Sequence, residues 1–298
     1  MTDAPAIAWL RRDLRLADNP ALAAAAAAGG PTIVVFILDD AAADAPGGAA
    51  RWWLDRSLRA LRRALGKRGG ALVLRRGDTT EELLRLVDET GAQGVFCNRR
   101  YDPHGVAVDT ALKETLKARG VAVESANGNL LREPWELKTG GGTFYKVFTP
   151  MWRALQKAGP AREAPVPAPK KLAAPATLPA SDALENWGLA PEDPNWAEEF
   201  ETIWTPGEKG AHDRLDGFLA QAVSGYGDNR NRPDCESTSR LSPHLAWGEI
   251  SPLTIWTTTR DAIAAGGAPE ADASTFLSEI AWREFSYTLL FHLPDLKA

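Results

Sequence analysis

From Ile7 to Glu124 the chain alternates short apolar, β-branched runs with longer amphipathic stretches, the pattern of βαβ units around a parallel sheet. The apolar runs predict strands at Ile7–Leu10, Thr32–Leu38, Ala71–Leu74, Gly94–Cys97 and Val121–Glu124. Helices fit between them at Pro20–Ala28, Ala49–Lys67, Thr79–Glu89 and Val106–Arg119. Pro20 suits a first helical turn, and Gly29, Gly69, Gly91 and Gly120 suit C-terminal stops. In the second helix Trp53, Leu54, Leu58, Leu61 and Leu65 recur at helical spacing, which marks them as core. The expectation is a Rossmann-like α/β unit with a five-stranded parallel sheet.

The pattern changes after residue 130. Six prolines fall between Gly159 and Pro179 among alanines and lysines, which disfavours helix and sheet alike and predicts an extended connector at a domain boundary. Asn186 to Pro206 is acidic and carries Trp187, Trp196 and Trp204. Helical periodicity returns at Gly207–Val223, Leu245–Gly248, Ser251–Ala265 and Asp272–Phe291, so the last part reads as all-helical.

At 298 residues two cores are expected rather than one. Cys97 and Cys235 are the only cysteines, which excludes a disulfide framework, provides no paired-thiolate metal site and points to a reduced, cytoplasmic setting. No basic segment precedes a long apolar one at the start, so neither export nor membrane insertion is expected. The net charge is -5, and residues 207 to 298 hold all the excess acid. A generally basic nucleic-acid surface is therefore absent, and polyanion contact would fall to local groups such as Arg230, Arg232 and Arg240. The 11 tryptophans exceed ordinary usage and hint at cofactor or base contacts.

No strand is followed by a Gly-x-Gly-x-x-Gly turn or a Walker loop, and Gly140-Gly141-Gly142 reads better as a flexible link than as a phosphate cradle. The run Trp9 to Pro20 sets Arg11, Arg12, Arg15, Asp13 and Asp18 after the first strand, where ligands of open α/β sheets bind. An ion-pair network fixing the loop, with Asn19 or Asp18 capping the next helix, accounts for the same charges. Thr238-Ser239-Arg240-Leu241-Ser242 offers hydroxyls and a guanidinium to a phosphate, although such segments also make plain turns. On the last helix Glu279, Trp282 and Arg283 are spaced to share a direction. A carboxyl beside a flat ring is what a pocket for an extruded base requires, while a solvated acid beside a core aromatic would have the same spacing.

The Trp9-to-Leu22 segment, the run from Tyr226 to Pro243 and the Glu279-to-Phe285 helix, in that order, resemble the DNA photolyase and cryptochrome family, with a class I-like deoxyribodipyrimidine photolyase as the nearer plan. The resemblance covers Ala6 to Ala298. It implies an antenna-type α/β domain over residues 1–130, a connector over 131–206 and the N-terminal part of a helical FAD-binding domain over 207–298. It also implies light-driven repair of cyclobutane pyrimidine dimers by electron transfer from reduced FAD. Tyr226, Thr238, Ser239, Arg240, Leu241 and Ser242 then belong beside the cofactor. Arg230, Arg283 and Ser286 belong on the DNA, Glu279 and Trp282 on the flipped dimer, where they are the catalytic pair. UV-damaged DNA is the implied partner, a monomer the implied state of a full-length protein, and no metal is called for. Cryptochrome-like blue-light signalling and a non-catalytic chromophore-binding module remain alternatives. Retention of both Glu279 and Trp282 tilts the resemblance towards repair.

Residues 98–103 lack the Asn-Glu pair of one folate-binding pattern, so the antenna, a folate or a deazaflavin in this family, stays unassigned. Family members run well over a hundred residues beyond the Trp-Arg-Glu-Phe helix. Phe276, Leu277, Ile280, Leu289 and Leu290 are therefore expected to lack cover, and the chain alone is expected neither to hold FAD tightly nor to repair DNA.

Overall fold

The computed structural model describes residues 4–297. Five strands, β1 (Ala6–Leu10), β2 (Thr32–Leu38), β3 (Leu72–Arg76), β4 (Gly94–Asn98) and β5 (Ala122–Ala126), form one parallel sheet in the order β3-β2-β1-β4-β5. Helices α1 (Pro20–Ala27), α2 (Gly48–Gly66), α3 (Thr79–Thr90) and α4 (Pro103–Ala118) connect the strands. Every residue of β1 and β2 is buried, as strands covered on both faces must be. The chain alternates faces residue by residue: Ala8, Leu10, Val34 and Phe36 join α2 in one apolar cluster, while Ile7, Trp9, Val35 and Ile37 pack with α3 and α4 in another.

Caps fix where the helices start. Asn19 accepts from the Leu22 N–H at α1, Asp78 from Glu81 at α3 and Asp102 from Gly105 at α4, each contributing about 1 kcal/mol. The Asp102 cap and Pro103 begin α4 three residues before the expected Val106.

Beyond β5 come α5 (Phe148–Ala158), α6 (Phe200–Ile203), α7 (Glu208–Gln221), α8 (Tyr226–Asn229), α9 (Ser242–Trp247), α10 (Pro252–Ala264) and α11 (Glu270–His292). The helical expectation for this part holds, but α5 lies in a stretch read as connector. Phe148, Met151, Trp152 and Leu155 line its apolar side, and Met151 and Leu155 are buried against residues of α7, α10 and α11. The proline-rich stretch is extended, as expected, and is tied down: Asp18 N–H donates to Val166 O, Thr32 N–H to Ala173 O and Leu172 N–H to Arg68 O. Connector residues thus divide between two cores, Leu131 and α5 joining the helical cluster, Leu172, Leu184 and Trp187 the α/β one.

The expected bare apolar face on α11 is not found. Phe276, Leu277 and Ile280 are buried and Leu289 and Leu290 half-buried, because α5, α8 and α10 pack against α11. The large aromatic that α11 leaves exposed is Trp282.

Buried polar groups join the α/β and helical parts. Arg15 donates to Asp18 O, Gly248 O and Gly128 O. The Glu208 carboxylate accepts from the N–H groups of Leu16 and Ala17. Gly248 must be glycine: its φ is +64°, and a Cβ there would lie 1.9 Å from Arg12 O.

Glu284 on α11 accepts from the N–H groups of Leu131 and Arg132 and is fully buried. Burial pushes its carboxyl up to about 7, and the Arg283 guanidinium and the two N–H groups offset only part of that. A carboxyl whose pKa is raised by folding stabilises the fold below its ordinary value of 4.5, and this contribution is lost as pH climbs through 7. Urea denaturation should therefore show stability falling by roughly 3 kcal/mol from Glu284 between pH 4.5 and 7.5. Glu284→Gln should remove that slope; an unchanged slope in the variant would refute the assignment.

Candidate nucleotide and damaged-base site

Two faces of the helical part carry the residues singled out above. On the first, Glu279 and Trp282 sit on successive turns of α11. Arg230, just past α8, donates from Nη1 to Glu279 Oε1. The bond to the carboxylate is the largest cause holding the Arg230 proton more tightly than usual. Trp282 is 45% exposed, and its indole stacks on Phe148 with ring centroids 3.7 Å apart and planes 10° apart. Tyr226 is buried behind this face against Phe218 and Phe276. Burial raises its phenol, with the Glu279 charge adding to the shift.

Arg283 does not share this face. One residue on from Trp282 is a 100° turn of the helix, and its guanidinium instead donates to Asn129 O at 2.7 Å and lies 4.8 Å from the Tyr287 ring centre. Ser286 is exposed, and its hydroxyl donates to Trp282 O. Arg283 and Ser286 line a separate groove with Arg100, Tyr101 and Tyr287.

The second face is a cleft of about 490 Å³ lined by Thr238, Arg240 and His244 on one side and Asp213, Arg214 and Gly217 of α7 on the other. That volume lies within the range of small-molecule sites. Arg240 holds φ +51°, a left-handed conformation uncommon for a residue with a Cβ, and its guanidinium pairs with Glu236. The hydroxyls of Thr238, Ser239 and Ser242 have no hydrogen-bond partner among the described residues, whereas the neighbouring Ser237 hydroxyl donates to Asn229 O. Leu241 is buried. Free hydroxyls and a guanidinium on a strained loop beside a cleft fit the phosphates of a nucleotide cofactor. They do not amount to a full cavity for a flavin ring.

Sequence reasoning missed the groups that support these faces. His244 Nδ1 faces Glu249 Oε2 in a fully buried pair, and Glu249 Oε1 accepts from Trp53 Nε1 and from Gly207 N–H. Phe148 was hidden in the connector, although its spacing with Met151, Trp152 and Leu155 is helical.

The charged loop after β1 resolves largely as the ion-pair alternative. Arg11 pairs with Asp109, Arg12 with Asp44 and Arg162 with Asp18, and Asn19 is the cap. The cavity there, at the C-terminal ends of β1 and β2, is about 140 Å³ and bordered by Arg12, Asp44 and Arg100. It is below the usual size of a ligand site, so the antenna remains unassigned. No cluster of metal-ligating side chains occurs among the described residues, and no helix there is long and apolar enough to cross a membrane.

The family model described as DNA photolyase matches residues 6–170. The chain belongs to the DNA photolyase family. A deoxyribodipyrimidine photo-lyase of Agrobacterium fabrum is 50% identical over 98% of this chain and 60% of its own length. A crystal structure of a bacterial class III photolyase from Agrobacterium tumefaciens superposes with a TM-score of 0.94 at 49% identity, over 99% of this chain and 61% of that one. Cryptochrome-1 of Arabidopsis thaliana is 34% identical over 97% of this chain and 43% of its own. The chain thus spans about 60% of the length of the photolyases it matches. Similarity to a class III photolyase stands beside the class I-like plan expected from the motifs.

Proposed function

We propose that this chain supplies the damage-binding face and the phosphate-holding loop of a deoxyribodipyrimidine photolyase acting on cyclobutane dimers in UV-damaged DNA. The observation that carries the reading is Trp282, 45% exposed on α11 with its ring stacked on Phe148, one turn from a carboxyl held by Arg230. A damaged, poorly stacked base pair is cheap to extrude, and an open indole beside a carboxyl is built to receive it. The division that goes with this reading is 1–130 for the antenna-type unit, 131–206 for the connector and 207–298 for the front of the flavin-holding unit, with α5 belonging physically to the last.

Thr238, Ser239, Arg240 and Ser242 would hold the pyrophosphate of FAD, with Leu241 and Tyr226 packing beside it. Bound in reduced form and excited by light, FAD supplies the electron that opens the cyclobutane ring. Glu279 hydrogen-bonds the dimer, accepting from an imide N–H or, when protonated, donating to a carbonyl where negative charge builds. Its present partner Arg230 is placed to turn to a backbone phosphate when DNA arrives, which releases the carboxyl for the base. Trp282 gives the extruded bases a flat wall.

The test is dimer loss from thymine-dimer DNA under blue light and in the dark, with FAD added, for this chain and for one extended by its downstream reading frame. Light-dependent repair is expected in the extended chain, and Glu279→Ala, which removes both the acceptor and the donor, should slow it roughly tenfold or more, since groups aimed at developing charge are worth that much. Equal rates in light and dark, or full repair by the variant, would refute the proposal. Flavin photoreduction without repair would place the protein with the cryptochromes.

A further inference from the structure

We propose that Phe148 is a positioning residue for damaged-base binding: it fixes the plane of Trp282 so that one indole face is presented, already ordered, to an extruded base. The inference rests on the reading of Trp282 as the damage-facing wall. Phe148 comes from the first residue of α5, 134 positions before Trp282 in the chain, and lies in the stretch that sequence patterning assigns to a connector.

The geometry is unusual for a core pair. Aromatic rings prefer offset or edge-to-face arrangements with centroids roughly 4.5 to 7 Å apart, and a close parallel sandwich sets one negative ring face on another. Here the centroids are 3.7 Å apart and the planes within 10°. Ring electrostatics would not select this arrangement, so the backbone must impose it. The burial of Met151 and Leu155 seats α5 on the helical core, and Phe285 touches both rings edge-on, at 6.0 Å from Phe148 and 5.8 Å from Trp282. Phe285 thus forms a corner that holds the two stacked rings in register.

What this arrangement does follows from the exposure. A tryptophan nearly half exposed on a helix would sample several rotamers, and a base stacking on it would have to freeze them. With Phe148 against one side the ring is held before any ligand arrives, and the exposed part of the indole is left for a base. A base stacked there would become the third layer of a stack whose first two layers the protein provides. Such ordering of a contact residue by a supporting neighbour strengthens binding without adding a contact. Phe148 itself touches no base, and its effect runs wholly through Trp282.

The measurement is fluorescence polarisation in the dark, with the 298-residue chain and a labelled oligonucleotide carrying one cyclobutane thymine dimer, against the same sequence undamaged. Neither flavin nor light enters the readout. The parent should prefer the dimer, and Trp282→Ala should abolish the preference. Phe148→Leu should cut the preference about three- to tenfold, the scale of an aromatic pair, with the melting temperature within about 3 °C of the parent. Phe148→Tyr, which restores a flat ring, should restore the preference. Phe148→Met, also apolar but without a flat ring, is read beside Phe148→Leu, each well below its melting temperature. Preference lost in Trp282→Ala but kept in both Phe148→Leu and Phe148→Met would overturn the positioning role and leave the damaged-base site standing. No preference in the parent, or its survival in Trp282→Ala, would overturn the reading of the site and this role with it.

Discussion

Arg15→Ala should cost about 3 to 5 kcal/mol in urea denaturation and split a single unfolding transition into two. Arg15 is 1% exposed, and its guanidinium donates to three carbonyls: Asp18 O in its own loop at 2.7 and 3.1 Å, Gly248 O after α9 at 2.8 Å, and Gly128 O after β5. Removing the side chain leaves three buried acceptors unpaired and a cavity where the α/β and helical parts meet. Because the three acceptors lie on segments far apart in sequence, the loss falls on the joint between the two parts more than on either core. Arg15→Lys keeps the charge but cannot span three carbonyls from one point donor, so it should recover only part of the loss. A melting temperature for Arg15→Ala within about 2 °C of the parent would show that the joint does not depend on this residue.

How far the chain could be read from its sequence follows from where each residue's partners lie. The strands β1 and β2 were legible because a buried strand is apolar almost along its whole length, a property of adjacent residues, and β3 and β4 through the apolar runs that precede Arg75 and Asn98. The helix α5 was not, although Phe148, Met151, Trp152 and Leu155 carry the period. Pro150 and the preceding Gly140-Gly141-Gly142 suggest a loop, yet a proline in the first helical turn has no N–H to lose. That omission carried a second error with it. The apolar residues of α11 were expected to lack neighbours because their cover was sought in residues beyond this helix, whereas α5, read as connector, supplies part of it together with α8 and α10.

The site divides in the same way. Glu279, Trp282 and the Thr238-to-Ser242 loop came from motifs, and the structure sets them beside an ion pair, a ring stack and a cleft. Arg283 was placed with Glu279 by helical spacing, but spacing gives the side of a helix and not the acceptor waiting there. The carbonyl of Asn129, 154 residues earlier, takes its guanidinium. Glu249 and Trp53, 196 residues apart, could not have been paired from periodicity at all.

That pair underlies the second large effect. Glu249→Ala should lower stability by about 3 to 5 kcal/mol. The Glu249 carboxylate is completely buried, with Trp53 Nε1 donating to Oε1 at 2.9 Å, Gly207 N–H to the same oxygen at 2.7 Å, and His244 Nδ1 at Oε2. Alanine would leave the indole and amide donors unpaired in a place water does not reach, and would remove the group that orients His244. The Trp53 ring stands edge-on to the His244 ring, with centroids 4.9 Å apart and planes at 83°, so indole and imidazole would loosen together. His244 lines the cleft beside Thr238 and Arg240, and the damage should therefore reach the proposed phosphate-holding loop. Glu249→Gln keeps the volume and one acceptor oxygen. Its amide would donate to His244 Nδ1, which places the histidine proton on Nε2, the other ring nitrogen, and it should cost less than the alanine variant. Urea midpoints for the two variants check the order. Alanine within about 1 kcal/mol of the parent would mean that neither the donors nor the filled space at this point matters to the fold.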